Sequence, residues 1–170
     1  MKITIYISLL LFIISCSPVT VSSSYNRSNI LSDYETFAWK PNLREDLTGS
    51  NSIMDERMVS RVMNEVYKEM ILKGFRFVDR QPDVLVNLVV KNDLDGLKFS
   101  TEDGYSYWNG YSPDPDNYSE GTLVIELLHP DDKIVLWHGS AKGLLKKSRT
   151  QYKIQEVLRD MFDQYENQIL

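Results

Sequence analysis

The stretch GTLVIELLHPDDKIVLWHGSAK, residues 121–142, decides the fold. Two apolar runs flank His129-Pro130-Asp131-Asp132, a cluster of turn-forming residues. In the first run, Gly121 to Leu128, the side chains of Leu123, Ile125 and Leu127 fall on one face. In the returning run, Lys133 to Lys142, Ile134 and Leu136 share one face and Val135 and Trp137 the other. Branched and aromatic residues suit a pleated surface. The pair reads as a β-hairpin, with His129 in its turn and His138 on its second strand.

Upstream, Pro82 breaks the chain and Asp83 to Lys91 forms a further strand. Val84, Val86, Leu88 and Val90 make one face; Leu85 and Val89 on the other imply that it is half covered. Phe75 to Val78 is a short strand, and Tyr34 to Lys40 is another, closed by Pro41. Between these two lies a helix over residues 52–73. Ser52 is its expected N-cap, Met54, Met58, Val62, Val66 and Met70 hold helical spacing, and Gly74 terminates it. Residues 42–51 are polar and read as a turn. After the hairpin, Ser148 and Gln151 resemble a capping box, and Ile154, Val157, Leu158, Met161, Phe162 and Tyr165 mark a second amphipathic helix. The expected fold class is α+β. It is a two-layer sandwich over residues 33–170, with one mixed or antiparallel sheet of about five strands packed against two helices.

Residues 92–118 interrupt this pattern. They are acidic, Gly- and Pro-punctuated, and rich in rings: Tyr105, Tyr107, Trp108, Tyr111 and Tyr118. A loop of this length in a compact domain is usually functional or disordered. Tyr and Trp offer rigid, amphipathic contact area, so these five residues form a candidate binding loop for a peptide, a glycan or a protein. The alternative is that the rings pack over the end of the sheet or stay mobile.

The N-terminus has a different character. Lys2 precedes an almost wholly apolar run, residues 3–14, too short to span a bilayer and of the length of a signal core. Ile13-Ile14-Ser15-Cys16 resembles the lipobox of bacterial lipoproteins. That resemblance implies a signal peptide over residues 1–15, cleavage before Cys16, diacylglyceryl attachment to its thiol and acylation of the new amine. Several acyl chains give stable anchoring where one chain gives marginal binding. An ordinary cleaved signal or an uncleaved anchor is the alternative. Residues 16–32, with Ser22, Ser23 and Ser24 in a row, read as a lipidated tether, although Val19 and Val21 alternate with polar residues as a short strand would. Position 17 is Ser, and no acidic run follows Cys16, which points to the outer membrane facing the periplasm.

Composition narrows the functions. The net charge of −5 becomes −6 once the single positive charge of Lys2 is removed with residues 1–15. No basic stripe exists beyond the short group Lys142, Lys146, Lys147 and Arg149, so nucleic acid is a poor partner. The one cysteine is assigned to lipid, and the several His or Cys ligands at set spacings that zinc sites usually want are not present in the sequence. Asp114-Pro115-Asp116-Asn117 lacks EF-hand spacing. There is no Gly-x-Ser-x-Gly elbow. No cofactor, metal or catalytic residue is expected. A buried pocket with two convergent carboxylates, or His138 facing an Asp, would favour a hydrolase, whereas an exposed aromatic patch over a closed core would favour an interaction domain.

Five segments, in order, resemble the bacterial lipoprotein family carrying domain of unknown function 4136. They are Asp33 to Trp39, Lys73-Gly74-Phe75, Pro82 to Val86, Glu120 to Ile125, and Leu136 to Ala141. His138 departs mildly from the pattern, where that family often has Arg or another polar residue. The resemblance implies an envelope lipoprotein and no catalytic residues. The expected function is therefore a membrane-anchored, non-enzymatic interaction or accessory domain, with the membrane and another envelope protein as partners. The alternative is a small-ligand, glycan or peptide site using the loop at 98–118. In either case Trp39 and Trp137 are expected to meet across the sheet as core anchors.

Overall fold

The computed structural model describes residues 19–26, 33–49, 52–91, 99, 104–109, 111–114, 118, 121–145 and 150–166. The expected signal peptide, Cys16 and the expected Ser148 cap lie outside the described residues.

Six strands form one mixed sheet: β1 Thr20–Tyr25, β2 Thr36–Trp39, β3 Arg76–Phe77, β4 Val84–Val90, β5 Leu123–Leu128 and β6 Val135–Lys142. Their order is β1-β6-β5-β4-β2-β3. The hairpin β5–β6 lies near the centre, antiparallel, with β4 antiparallel to β5 on one side and β1 antiparallel to β6 on the other. β2 runs parallel to both β4 and β3. A parallel pair needs a long crossover, and the helices between β2 and β3 supply it. All six residues of β5 are buried, which means that both faces of the sheet are covered.

Three helices pack on one face. α1 is Leu43–Thr48, α2 is Glu56–Leu72 and α3 is Thr150–Glu166. α2 begins later than its periodicity implies. Asp55, not Ser52, is the N-cap, and its carboxylate accepts the Met58 N–H at 2.8 Å. Ser52 instead donates to the Leu47 carbonyl and accepts from the Met54 N–H, closing the α1–α2 turn. α2 ends as expected at Gly74, whose φ of 93° only glycine adopts freely. Gly74 N–H reaches the Ile71 carbonyl and Phe75 N–H the Met70 carbonyl, each at 3.0 Å, a Schellman closure.

The core lies between these helices and the sheet. Val59, Val62, Val66 and Met70 of α2 and Ile154, Val157, Leu158, Met161 and Phe162 of α3 pack with Phe37, Val84, Val86, Ile125 and Trp137. Trp137 is fully buried and stacks on Phe162 at 5.3 Å. Trp39 meets Phe37 edge-on at 6.3 Å. Two strands separate β2 from β6, so the two tryptophans do not meet as expected. Gly139 accommodates the Trp137 indole and Met161, which occupy the space a side chain there would need.

Three other expectations change. The tether at 16–32 contains β1, which pairs with β6 from Thr20↔Lys142 to Tyr25↔Trp137. The turn at 42–51 contains α1, held by buried Leu43 and Leu47. The alternation expected along 133–142 is broken by a register shift between Leu127 and Leu128, which takes Val135 and Trp137 to opposite sides of the sheet.

Candidate functional site

The second face of the sheet carries the chemistry. Registered cross-strand pairs place Asn87 beside Glu126, Glu126 beside His138 and His138 beside Ser24. The pair Trp39↔Val86 puts the next residue, Lys40, abreast of Asn87. A polar row, Lys40–Asn87–Glu126–His138–Ser24, thus crosses five strands. Apolar residues flank it: Leu85, Leu128 and Val135 on one side, Val89 and Val124 on the other.

The row is sealed. Glu126 is 0% exposed and His138 2%. A carboxylate buried this deeply is costly unless it is hydrogen-bonded. Asn87 Nδ2 donates to Glu126 Oε2 at 2.8 Å, and the Tyr107 hydroxyl donates to Glu126 Oε1. His138 Nδ1 lies 3.7 Å from Glu126 Oε1 and 3.4 Å from the Tyr107 hydroxyl. The Tyr118 hydroxyl hydrogen-bonds His138 Nε2 at 2.9 Å. The rings of Phe99, Tyr107, Tyr111 and Tyr118 surround the imidazole with centroids 5.8 to 6.2 Å away. Burial pushes the Tyr118 phenol up to about 12, and the nearby Tyr111 and Asp114 push it the same way. Burial also raises Tyr111, against a hydrogen bond with Ser24 that lowers it. Both phenols therefore stay protonated at neutral pH.

At the β2 end the row opens into a cavity of about 290 Å³ lined by Lys40, Pro41, Asn42, Asp46 and Tyr105. Lys40 Nζ is 3.6 Å from Asp46 Oδ2. Asn42 sits in the left-handed region at φ 60°, a conformation Asn tolerates better than most residues. The Lys133 ammonium lies 4.7 Å from the centre of the Tyr105 ring.

The family model described as Domain of unknown function (DUF4136) matches residues 21–165, from β1 into α3. The chain belongs to the DUF4136 family. No curated protein matches it. A crystal structure of a DUF4136 family protein from Bacteroides thetaiotaomicron is similar over 88% of this chain and 97% of its own, with a TM-score of 0.59 at 14% identity. A PDZ domain protein from Parabacteroides distasonis is similar over 86% of this chain and 35% of its own, with a TM-score of 0.52 at 17% identity. At these identities the likeness concerns the fold.

In this DUF4136 chain the described rings of the aromatic segment turn inward. Tyr105 and Tyr118 are buried, and Tyr107, Trp108 and Tyr111 are half-buried. The described rings pack over the sheet. Trp108 and Tyr111 stack 4.3 Å apart with nearly parallel planes and, like Tyr107, keep partial exposure to solvent. Tyr107 and Tyr118 act as hydrogen-bonding lids on Glu126 and His138. Sequence reading missed Glu126, Asn87 and Phe99. The available signal was a lone carboxylate in the otherwise apolar run 123–128.

The acid facing His138 is Glu126, where an Asp is the expected mark of a hydrolase. Both groups are already engaged by tyrosine hydroxyls and an amide. The nearby Ser140 hydroxyl is bonded to Ser22 at 2.8 Å. A triad needs a nucleophile bonded to the histidine and open to substrate. Among the described residues, the hydroxyls on His138 are the Tyr107 and Tyr118 phenols.

Proposed function

We propose that this DUF4136 chain is a lipid-anchored, non-enzymatic binding or accessory domain of the bacterial envelope, held by Cys16 at the outer membrane and facing the periplasm. The anchoring rests on Lys2, the apolar run 3–14 and Ser15-Cys16. The non-enzymatic reading is carried by one observation: the acid–base pair Glu126–His138 is buried, and both His138 nitrogens lie within hydrogen-bond reach of tyrosine hydroxyls. A general acid or base must reach the proton it transfers. Another envelope protein is the proposed partner. The test is Cys16→Ser: the wild type incorporates labelled palmitate and sediments with membranes, whereas the variant does neither. A variant that still sediments and labels overturns the anchoring.

A second reading, small-ligand binding, is favoured by the cavity at Lys40 and Tyr105. Its volume of about 290 Å³ is near the lower bound of known ligand sites. Lys40 and Asp46 place a cation and an anion at its wall, which suits a small zwitterion. Titration with free amino acids monitored by NMR tests it; shifts confined to residues 40–46 and 105 support it, and unshifted spectra remove it.

A further inference from the structure

The two ends of the sheet differ in charge and in distance from the anchor. β1 begins at Thr20, four residues after Cys16. Four residues span at most about 14 Å when fully extended. β1 cannot lengthen that reach by peeling away easily, because all six of its residues pair with β6 and Asn26 N–H continues the ladder to the Leu136 carbonyl at 2.8 Å. The eight residues of β6 are roughly 26 Å long at the usual rise. The chain leading to the anchor is therefore shorter than the sheet is tall.

The anchor end is basic beside β1. Thr20 is abreast of Lys142, the last residue of β6, which is half-buried with its ammonium 5.4 Å from the centre of the Tyr118 ring. Lys91 follows β4 at this same end, where its N–H meets the Thr122 carbonyl and its own carbonyl takes the Gly121 N–H. Lys153 is exposed in the first turn of α3. α3 runs from this end toward the other, since Phe162 stacks on Trp137, near the start of β6, and Asp163 pairs with Lys73 at the end of α2. The far corner of the anchor end carries both signs, Arg44 and Arg57 beside Glu45, Asp46, Asp55 and Glu56, with Arg44 and Glu56 paired at 2.8 Å. The opposite end collects Asp33 and Glu35 before β2, Asp83 before β4, and Asp131 and Asp132 in the hairpin turn, with Arg76 and Lys133 among them.

We infer that the domain stands on an anionic phospholipid surface through the end where β1 begins, with Lys91, Lys142 and Lys153 toward the headgroups and the Asp131–Asp132 hairpin held away. The inference rests on the lipid anchoring at Cys16 proposed above. A short tether keeps the start of β1 near the headgroups whatever the tilt. Attraction of lysines to anionic lipid, and repulsion of the acidic end, then select the upright pose over one lying flat. The attraction acts within a Debye length, so salt weakens it.

The test uses the full lipidated chain on vesicles of phosphatidylcholine with and without phosphatidylglycerol. Fluorophores are placed on Gln155→Cys, beside the anchor end of α3, or on Asp131→Cys, in the hairpin. Headgroup-labelled quencher lipid should quench the label at 155 severalfold more than the label at 131. The difference should shrink without phosphatidylglycerol, in high salt, and in Lys153→Glu, an exposed site that leaves the core untouched; Lys142→Glu should act in the same direction. Chains that float with vesicles yet show equal quenching at both sites overturn the upright pose and leave anchoring intact. A difference indifferent to lipid charge and salt overturns the role of the lysines. Chains that do not float, matching Cys16→Ser, overturn the anchoring and the pose together.

Discussion

Gly139→Ala is the sharpest perturbation the fold offers. Gly139 lies on β6 opposite Ile125, facing the helices. A methyl there would stand 2.7 Å from both Met161 Sδ and Trp137 Cζ2, and closer still to Trp137 Cη2. Comfortable contact needs about 3.5–4.0 Å, so the indole must move by roughly 1 Å. Trp137 is 0% exposed and stacked on Phe162, which leaves it nowhere to go without disturbing that stack. Overpacking a core typically costs 1–3 kcal/mol, and the stack is worth about 0.5–1.5 kcal/mol more. We expect a loss of about 3 kcal/mol. Met161 is flexible and can yield, so the indole carries most of the conflict. Trp137→Phe vacates the space of the outer ring at a cost of about 2 kcal/mol. The double variant should then be no less stable than Trp137→Phe alone, a coupling of about 3 kcal/mol. Urea unfolding reads this out: at an m-value of about 2 kcal/mol/M, the Gly139→Ala midpoint falls by roughly 1.5 M. An unchanged midpoint, or strictly additive losses in the double variant, would refute the packing argument.

Two further outcomes follow from polar contacts. Asp83 Oδ2 accepts from Glu35 N–H at 3.0 Å, Thr36 N–H at 2.8 Å and the Thr36 hydroxyl at 2.7 Å, joining the start of β2 to that of β4. The Thr36 hydroxyl, ahead of the backbone N–H groups and Arg76, holds its carboxyl below the ordinary 3.8. A lowered folded-state pKa contributes stability that is present above the unfolded value and lost as pH falls through the folded one. Asp83→Ala should therefore cost about 1–2 kcal/mol at neutral pH, with the deficit narrowing below about pH 4; urea midpoints at pH 7 and pH 3 that show the same deficit contradict this. Tyr107→Phe removes a donor from the buried Glu126 carboxylate and should cost about 2 kcal/mol. The same change at half-buried Tyr111, which bonds Ser24 rather than the carboxylate, should cost under about 1 kcal/mol, and equal thermal shifts for the two would argue against a special role for Glu126.

The elements legible in the sequence are those whose pattern reports one strong environment. Val59, Val62, Val66 and Met70 face one sheet, and their helical spacing shows it. β4, β5 and β6 read as strands because their apolar runs are long and bounded by Pro82, Gly121 and the His129–Asp132 turn. β1 was masked by its function as an edge. Only Val21 and Tyr25 touch the core from within it, while Ser22 and Ser24 serve the polar second face, so its composition resembles a tether. α1 is six residues long with two buried leucines, too short for periodicity to stand out from a polar loop.

The site was harder to read because it depends on register. Glu126 meets His138 only through the hairpin pairing, and that pairing carries a shift between Leu127 and Leu128 that no residue of the turn announces. Without the shift, the residues from 135 onward would alternate differently against β5, and every side chain beyond it would change face. The aromatic segment was legible as unusual but not as a lid. Its rings are amphipathic, and amphipathic rings serve equally at an exposed binding surface and over a buried polar group. What decides between these uses here is the face beneath them. A carboxylate and an imidazole buried in the middle of a sheet require hydrogen-bond partners, and Tyr107 and Tyr118 supply them beside Asn87. The loop's composition is thus a consequence of Glu126 and His138, two residues that lie elsewhere in the chain.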